Sequence, residues 1–232
     1  GGIAGYQNNS NTETTNLNID GITITGSANY VGGLFGQTEG KIKKQINTIK
    51  GIKVQGQHYV GGYVGKLYGT IETIEMSDTI EVEGQNYVGG LVGSSGTINE
   101  VKFKTKVKGS YELGGLGGGS ISLVKNVIGE TEVTGVGTYS YKGGIVGDGK
   151  ITGAIIERGS SNVNGFSETG TKENIYYFSD YTAATVQGTL WDNSSKNVES
   201  YETAIDTIIG GDNDGTGYYF DFDEIVVYLY FF

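Results

Sequence analysis

Apolar and polar residues alternate in five short segments of the chain, residues 22–25, 52–55, 80–83, 104–108 and 131–134. Such alternation is typical of a β-strand with one buried face. A glycine directly follows each segment, as Gly26 and Gly56 do in the first two. We expect these glycines to turn the chain through a positive φ, which glycine adopts at little cost.

A second pattern, Gly-Gly-x-x-Gly, begins at residues 1, 32, 61, 89, 114 and 143, with spacings of 31, 29, 28, 25 and 29 residues. Self-similarity at such a period indicates a stack of structural repeats. Glycine inside a strand often marks a close approach of another backbone. The repeat glycines expected to serve this structural role are Gly32, Gly33, Gly36, Gly61, Gly62, Gly65, Gly89, Gly90, Gly93, Gly114, Gly115, Gly143, Gly144 and Gly147.

A third apolar stretch follows each motif, at residues 41–46, 70–74, 97–101, 120–124 and 150–155. Each unit therefore holds about three short strands, too few to bury their own apolar face. Stacked units bury that face and pair each strand in parallel with its counterparts. The sequence predicts an all-β, parallel β-solenoid (β-helix) of about six coils, with the right-handed winding that parallel crossovers favour.

Two other repeat folds fit less well. Propeller blades need about 40 to 45 residues and four antiparallel strands, which is more than these units provide. A leucine-rich horseshoe has a similar period, but it needs a Leu-x-x-Leu-x-Leu signature that the chain lacks.

The character of the chain changes after residue 173. Residues 1–173 hold 16 acidic and 15 basic residues, whereas residues 174–232 hold 10 acidic residues and one lysine and are rich in aromatic side chains. An open parallel stack needs a cap against edge-to-edge association. We therefore divide the chain into a repeat domain, 1–173, and an acidic, aromatic C-terminal capping segment, 174–232.

Composition excludes several classes of protein. The net charge is −10, and a nucleic-acid binder would need a basic face. No apolar run is long enough to span a bilayer, so membrane insertion is not expected. The 42 glycines, with no proline and no cysteine, fit uninterrupted strand ladders and exclude disulfides. We expect a monomeric piece of a larger multidomain chain.

Candidate catalytic chemistry is sparse, and we expect neither enzymatic activity nor a cofactor. Zinc proteolysis needs a His-Glu-x-x-His pair, but the single histidine, His58, occupies a slot filled by Asn29 and Asn86 in other repeats. Residues 144–150 imitate a phosphate loop, yet Ile151 replaces the required Ser or Thr. A β-helix lyase would need a base such as arginine beside acidic ligands, and the only arginine, Arg158, has no repeating acidic column near it.

Three features suggest binding, each beside a plainer interpretation. Asp212 and Asp214 resemble the start of a calcium loop, although Asp-Gly is also an ordinary solvated turn. Tyr30, Tyr59 and Tyr87 recur at one repeat position and could form a sugar-binding strip or simply stabilise the stack. Four lysines alternate with apolar residues and form either a solvated face or a contact for an anionic glycan: Lys102, Lys104, Lys106 and Lys108.

The segments Tyr-Val-Gly-Gly-Leu-Phe-Gly at 30–36 and Tyr-Val-Gly-Gly-Leu-Val-Gly at 87–93 resemble the GLUG motif. The resemblance implies a non-catalytic spacer, display or adhesion module of a bacterial surface or secreted protein, extracellular and associated with the cell wall. Host proteins or glycans are the implied partners. The alternative is the non-catalytic, substrate-positioning region of an IgA-specific zinc metalloendopeptidase of Gram-positive bacteria.

Overall fold

A computed structural model describes residues 1–27, 29–46, 48–136, 142–158, 172–178 and 189–191. All of its regular elements are β-strands, wound into successive coils. The first coil contains β1 (Ala4–Gln7), β2 (Glu13–Thr15), β3 (Ile19–Thr25) and β4 (Val31–Gly32). The second contains β5 (Phe35–Thr38), β6 (Lys41–Ile46), β7 (Ile49–Gln55) and β8 (His58–Gly61).

The later coils repeat this order. The third contains β9 (Val64–Leu67), β10 (Thr70–Glu75), β11 (Ile80–Glu83) and β12 (Asn86–Gly89). The fourth contains β13 (Val92–Ser94), β14 (Thr97–Gly109) and β15 (Tyr111–Gly114). The fifth contains β16 (Gly117–Gly119), β17 (Ile121–Gly135) and β18 (Lys142–Gly143). The remaining strands are β19 (Gly149–Arg158), β20 (Lys172–Phe178) and β21 (Thr189–Trp191).

Strands at the same position in successive coils form three parallel sheets. Sheet A runs β1-β5-β9-β13-β16, and sheet C runs β18-β15-β12-β8-β4. Sheet B has 11 strands, in the path β2-β6-β10-β14-β17-β19-β20-β21 with β3, β7 and β11 forming a second ladder that joins it at β14. The predicted parallel β-solenoid is confirmed. Sheets A and C have five strands each, so the described coils make about five turns where about six were expected. The six copies of the motif mark the ends of five intervals, and each interval is one coil.

Sheet B continues beyond the boundary predicted at residue 173, since β20 pairs in parallel with β19 and β21 pairs with β20. The other residues of 174–232 lie outside the described part of the chain. The right-handed winding and the capping role of this segment therefore stay predictions.

The core is a set of columns along the axis, one side chain from each coil. The first variable residue of the second to sixth motifs is buried, and in the second to fifth motifs its backbone N–H donates to the carbonyl of the equivalent residue in the next coil. This column is Leu34, Tyr63, Leu91, Leu116 and Ile145. Parallel columns from sheets B and C complete a mainly apolar interior, which also contains buried polar side chains such as Gln45 and Thr105. Each coil thus covers the apolar face of the next.

The motif glycines are required because backbone fills the space where a side chain would be. A Cβ on Gly61 would lie 2.1 Å from the carbonyl oxygen of Val64, and one on Gly90 would lie 2.0 Å from that of Gly115. Native Cβ atoms do not approach other atoms so closely, because protein interiors are packed without spare volume. Gly5, in the outermost coil, has no atom within 4 Å of the same position.

The prediction that the glycines after the leading strands adopt positive φ is wrong. Gly26, Gly56 and Gly84 lie outside the left-handed region. Their missing side chain instead makes room for the valines of sheet C: a Cβ on Gly56 would lie 2.9 Å from side-chain atoms of both Val31 and Val60.

Two predicted strands merge in the fourth coil, where β14 runs 13 residues without a break. In the third coil, Glu75 and Ile80 are the register partners of Lys102 and Thr105. Four residues, 76–79, separate Glu75 from Ile80, whereas only two residues separate Lys102 from Thr105. The shorter segment removes the turn. This also accounts for part of the shortened motif spacing of 25 residues.

Candidate functional site

The predicted lysine face lies on the outer surface of sheet B, and its alternation with buried residues is confirmed. Val101, Phe103, Thr105 and Val107 are buried between the lysines. Each lysine, however, has a carboxylate partner on an adjacent strand. The Nζ–Oε distances are 3.5 Å for Lys102–Glu75, 3.6 Å for Lys104–Glu130, 3.1 Å for Lys106–Glu132 and 2.7 Å for Lys108–Glu83.

Charges on this face alternate from coil to coil. The register aligns Lys53, Glu81, Lys106 and Glu132 along the axis, in the order plus, minus, plus, minus. Opposite charges directly across parallel strands favour one register, whereas like charges would oppose it. The geometry thus gives the lysines a structural role in aligning the coils, and their role as a ligand face stays a prediction.

The tyrosine column is a stack of rings along the axis. The ring centroids of Tyr59 and Tyr87 are 4.6 Å apart with an angle of 3° between the planes, and those of Tyr30 and Tyr59 are 5.1 Å apart at 32°. Tyr111 meets Tyr87 edge-on at 6.2 Å. Because Tyr59 has neighbouring rings on both faces, it has no free face on which a sugar could stack. This favours the stabilising role over the sugar-binding strip.

Three strands of sheet C each contain one residue with a left-handed backbone, and the first two of these residues are tyrosines. The φ angles are 52° at Tyr59, 57° at Tyr87 and 48° at Glu112. A non-glycine residue pays roughly 1–2 kcal/mol for this conformation, which the ring stack offsets. The sequence pattern offered no signal for it, since a bulky aromatic residue is rarely found there.

Glu112 takes the place of tyrosine in the fourth coil. Tyr111 pairs with Asn86, which in turn pairs with His58, one position before the tyrosine column, so Glu112 lies next to Tyr87. Burial and, to a smaller extent, repulsion from Asp148 together raise the pKa of the Glu112 carboxyl to about 7, against the opposing effect of a hydrogen bond with Tyr111. A Cβ on Gly119 would lie 2.0 Å from Glu112 Oε2, so glycine there leaves room for the carboxyl group.

The ammonium group of Lys66 lies among three tyrosine rings. Its Nζ is 5.7 Å from the ring centroids of Tyr30 and Tyr59 and 5.0 Å from that of Tyr68, within the range of cation–π attraction. A side-chain hydrogen bond with Tyr68 raises the pKa of Lys66. This cluster connects the tyrosine stack to the outer surface of sheet A.

A cleft on that surface was missed by the sequence analysis. It has a volume of about 430 Å³ and is lined by Tyr6, Ser10, Gln37, Glu39 and Tyr68. The Tyr6 hydroxyl donates a hydrogen bond of 2.6 Å to Glu39 Oε1. Its residues come from three coils. Tyr6 and Gln37 share one repeat position, and Glu39 and Tyr68 follow directly after paired residues at another, but the residue type changes from coil to coil, so no recurring residue marks the cleft in the sequence.

Some of the remaining candidate residues lie in the described part of the chain, and others lie outside it. His58 lies in register with Asn86, whose Nδ2 is 3.0 Å from His58 Nδ1, as expected for a ladder position. Strand β19 begins at Gly149, so a strand follows the phosphate-loop imitation. Asp212 and Asp214 lie outside the described residues. Within the described ranges, no three His, Asp or Glu side chains converge in a way that could hold a metal ion.

The fold and these surfaces define the chain as a repeat protein of the parallel β-solenoid class. No protein-family model, curated protein sequence or solved structure matches it. In the part of the chain that the structure describes, there is no helix long and apolar enough to cross a membrane.

Proposed function

We propose that this chain is a non-catalytic spacer or display module of a bacterial cell-surface or secreted protein, located outside the cell and associated with the wall. The observation that carries the proposal is the continuity of the stack. Buried columns and backbone-contacting glycines recur from coil to coil, as at Gly61 and Gly90, with no interruption in the described coils.

Continuity of this kind suits a mechanical task. Strands in successive coils lie about 4.8 Å apart, so five coils span roughly 24 Å along the axis. Neighbouring coils are joined by backbone hydrogen bonds in three sheets, and ion pairs such as Lys106–Glu132 add to sheet B. A body built in this way holds whatever is attached to its ends at a fixed separation.

Force spectroscopy tests the spacer function. The 232-residue chain is held between DNA handles and stretched in optical tweezers. The expected trace shows little extension at low force and then abrupt release of chain length, as coils separate cooperatively. A smooth, polymer-like extension from the lowest forces would overturn the proposal.

A binding measurement distinguishes the spacer function from the alternative role, that of a substrate-positioning region of an IgA-specific zinc metalloendopeptidase. Immobilised chain is exposed to human immunoglobulin A in biolayer interferometry, with immunoglobulin G as the control. The spacer function predicts equal, negligible signals. Selective capture of immunoglobulin A would favour the alternative.

A further inference from the structure

We propose that the cleft on the outer surface of sheet A, lined by Tyr6, Ser10, Gln37, Glu39 and Tyr68, binds a neutral carbohydrate. The inference deepens the proposed function, because it gives the display module a ligand class, and it rests on that function for the source of the glycan.

The cleft offers exposed aromatic surface. Tyr6 and Tyr68 are 52% and 55% exposed, respectively, and both border the cleft. They stand outside the axial stack, in which Tyr59 has rings against both faces. Large aromatic side chains exposed together on a soluble protein often mark a binding site. The C–H face of a pyranose ring is a suitable partner for an exposed tyrosine ring.

Polar side chains line the cleft beside the tyrosine rings. Glu39 presents a carboxylate, Gln37 an amide and Ser10 a hydroxyl group. Between them these groups offer both donors and acceptors for sugar hydroxyls. The hydrogen bond from Tyr6 to Glu39 fixes the carboxylate beside one of the rings. A few oriented polar groups beside apolar surface are typical of small-molecule sites, and 430 Å³ lies within their usual range.

The register between coils brings the residues of the cleft together. Tyr6 pairs with Gln37, and Gln37 pairs with Lys66 in the next coil. The backbone N–H of Tyr68 donates to Thr38 at 2.8 Å. Tyr6 and Tyr68 therefore lie two strand spacings apart, about 9.6 Å along the axis. The elongated arrangement suits an oligosaccharide lying along the axis.

The charge of the cleft lining comes from Glu39, and no lysine or arginine is among the lining residues. The Glu39 carboxylate repels an acidic ligand. A neutral glycan is therefore favoured over an acidic one.

Isothermal titration calorimetry tests the proposal. The intact chain is titrated with cellotetraose, chitotetraose and maltotetraose as neutral probes, and with sialyllactose as an acidic probe. At least one neutral probe is expected to bind with a Kd between about 10 μM and 1 mM, and sialyllactose is expected to bind more weakly. Tyr6→Ala and Tyr68→Ala should each raise the Kd about tenfold, because each variant removes one ring on which the sugar stacks.

Lys50→Ala is the control, since it removes an exposed side chain on sheet B outside the lysine face and should leave the Kd unchanged. Circular dichroism verifies that each variant is folded. The proposal is overturned if no neutral probe binds at about 10 mM, or if both tyrosine variants bind as tightly as the wild type. Binding of a proline-rich control peptide at the cleft in place of a sugar would also overturn it. None of these failures affects the force measurement that tests the spacer function.

Discussion

The rings of Tyr59 and Tyr87 lie 4.6 Å apart and nearly parallel, although both residues have a left-handed backbone, with φ of 52° and 57°. The spacing of the rings is close to that of adjacent strands, about 4.8 Å. Stacking interactions between coils thus compensate for backbone strain within each coil. Stability at this position of sheet C depends on having a ring in consecutive coils.

A substitution series at Tyr87 tests this balance. Tyr87→Phe retains the ring and is expected to change the free energy of unfolding by less than about 0.5 kcal/mol. Tyr87→Ala removes the stack but keeps the left-handed strain, and should cost about 2 kcal/mol. Tyr87→Gly relieves the strain and should be at least as stable as the alanine variant, the reverse of the usual order in a strand.

Urea unfolding followed by circular dichroism provides the free energies for the Tyr87 series. If the glycine variant is less stable than the alanine variant by about 1 kcal/mol, the normal strand order holds and the positive φ contributes no strain. If the phenylalanine variant is as unstable as the alanine variant, ring stacking is not the source of stability.

Alanine at a motif glycine should be tolerated only in the outermost coil. Gly65 and Gly5 occupy the same motif position, but a Cβ on Gly65 would lie 2.6 Å from the Gly36 carbonyl oxygen, whereas one on Gly5 meets nothing within 4 Å. We expect Gly65→Ala to lose about 3 kcal/mol and Gly5→Ala less than about 0.5 kcal/mol. Thermal unfolding of the two variants measures the contrast, and equal losses would contradict the close packing of the coils.

The Lys108–Glu83 pair allows a clean charge-reversal test. Its register neighbours on either side, Gln55 and Thr134, are uncharged, and both partners are about half exposed. Lys108→Glu should cost about 1 kcal/mol through repulsion with Glu83, and adding Glu83→Lys should recover most of that loss. The recovery should shrink in 1 M salt, where screening is strong. No recovery in low salt would show that the pair does not align the coils.

The Glu112 carboxyl gives a pH dependence whose sign follows from its raised pKa of about 7. The unfolded group titrates at about 4.3, so the folded state favours the protonated form. Its contribution to stability is complete below about pH 4.3 and is lost as the pH rises through 7. Glu112→Gln mimics the protonated group and should gain stability relative to wild type between pH 4 and 8.

For the Glu112 comparison, the carboxyl is only half-buried, so solvent screening limits the gain to about 1 kcal/mol. Thermal unfolding of wild type and Glu112→Gln at pH 4, 6 and 8 measures it. A difference that is constant across this range would contradict a raised pKa.

Much of the fold follows from the sequence because each coil repeats the same local pattern. The period and the alternation predict the columns of valine and leucine, and the motif glycines predict where backbones touch. Features that depend on register between coils could not be predicted in the same way. The ion pair between Lys108 and Glu83 and the hydrogen bond between Tyr6 and Glu39 can be identified only once the alignment of the coils is known.

Departures from the repeat explain the other errors. The missing pair of residues in the fourth coil merges two strands at Phe103, and the early position of Tyr111 brings Glu112 into the tyrosine column. A glycine-based rule assigned the positive φ to Gly56 and Gly84, while the structure assigns it to Tyr59 and Tyr87. In each case packing between coils outweighs the local preference.

The central claim is that successive coils pair in parallel and in register, and engineered disulfides test it most directly. The chain has no cysteine, and Gln55 lies in register with Thr25 below it and Glu83 above it. The account predicts that Gln55→Cys forms an intramolecular disulfide under mild oxidation with either Thr25→Cys or Glu83→Cys. It should not do so with Thr23→Cys, whose Cα is displaced by two residues to about 8 Å, beyond disulfide reach. Efficient bonding of the Thr23 pair, or failure of both register pairs, would contradict the stacked solenoid.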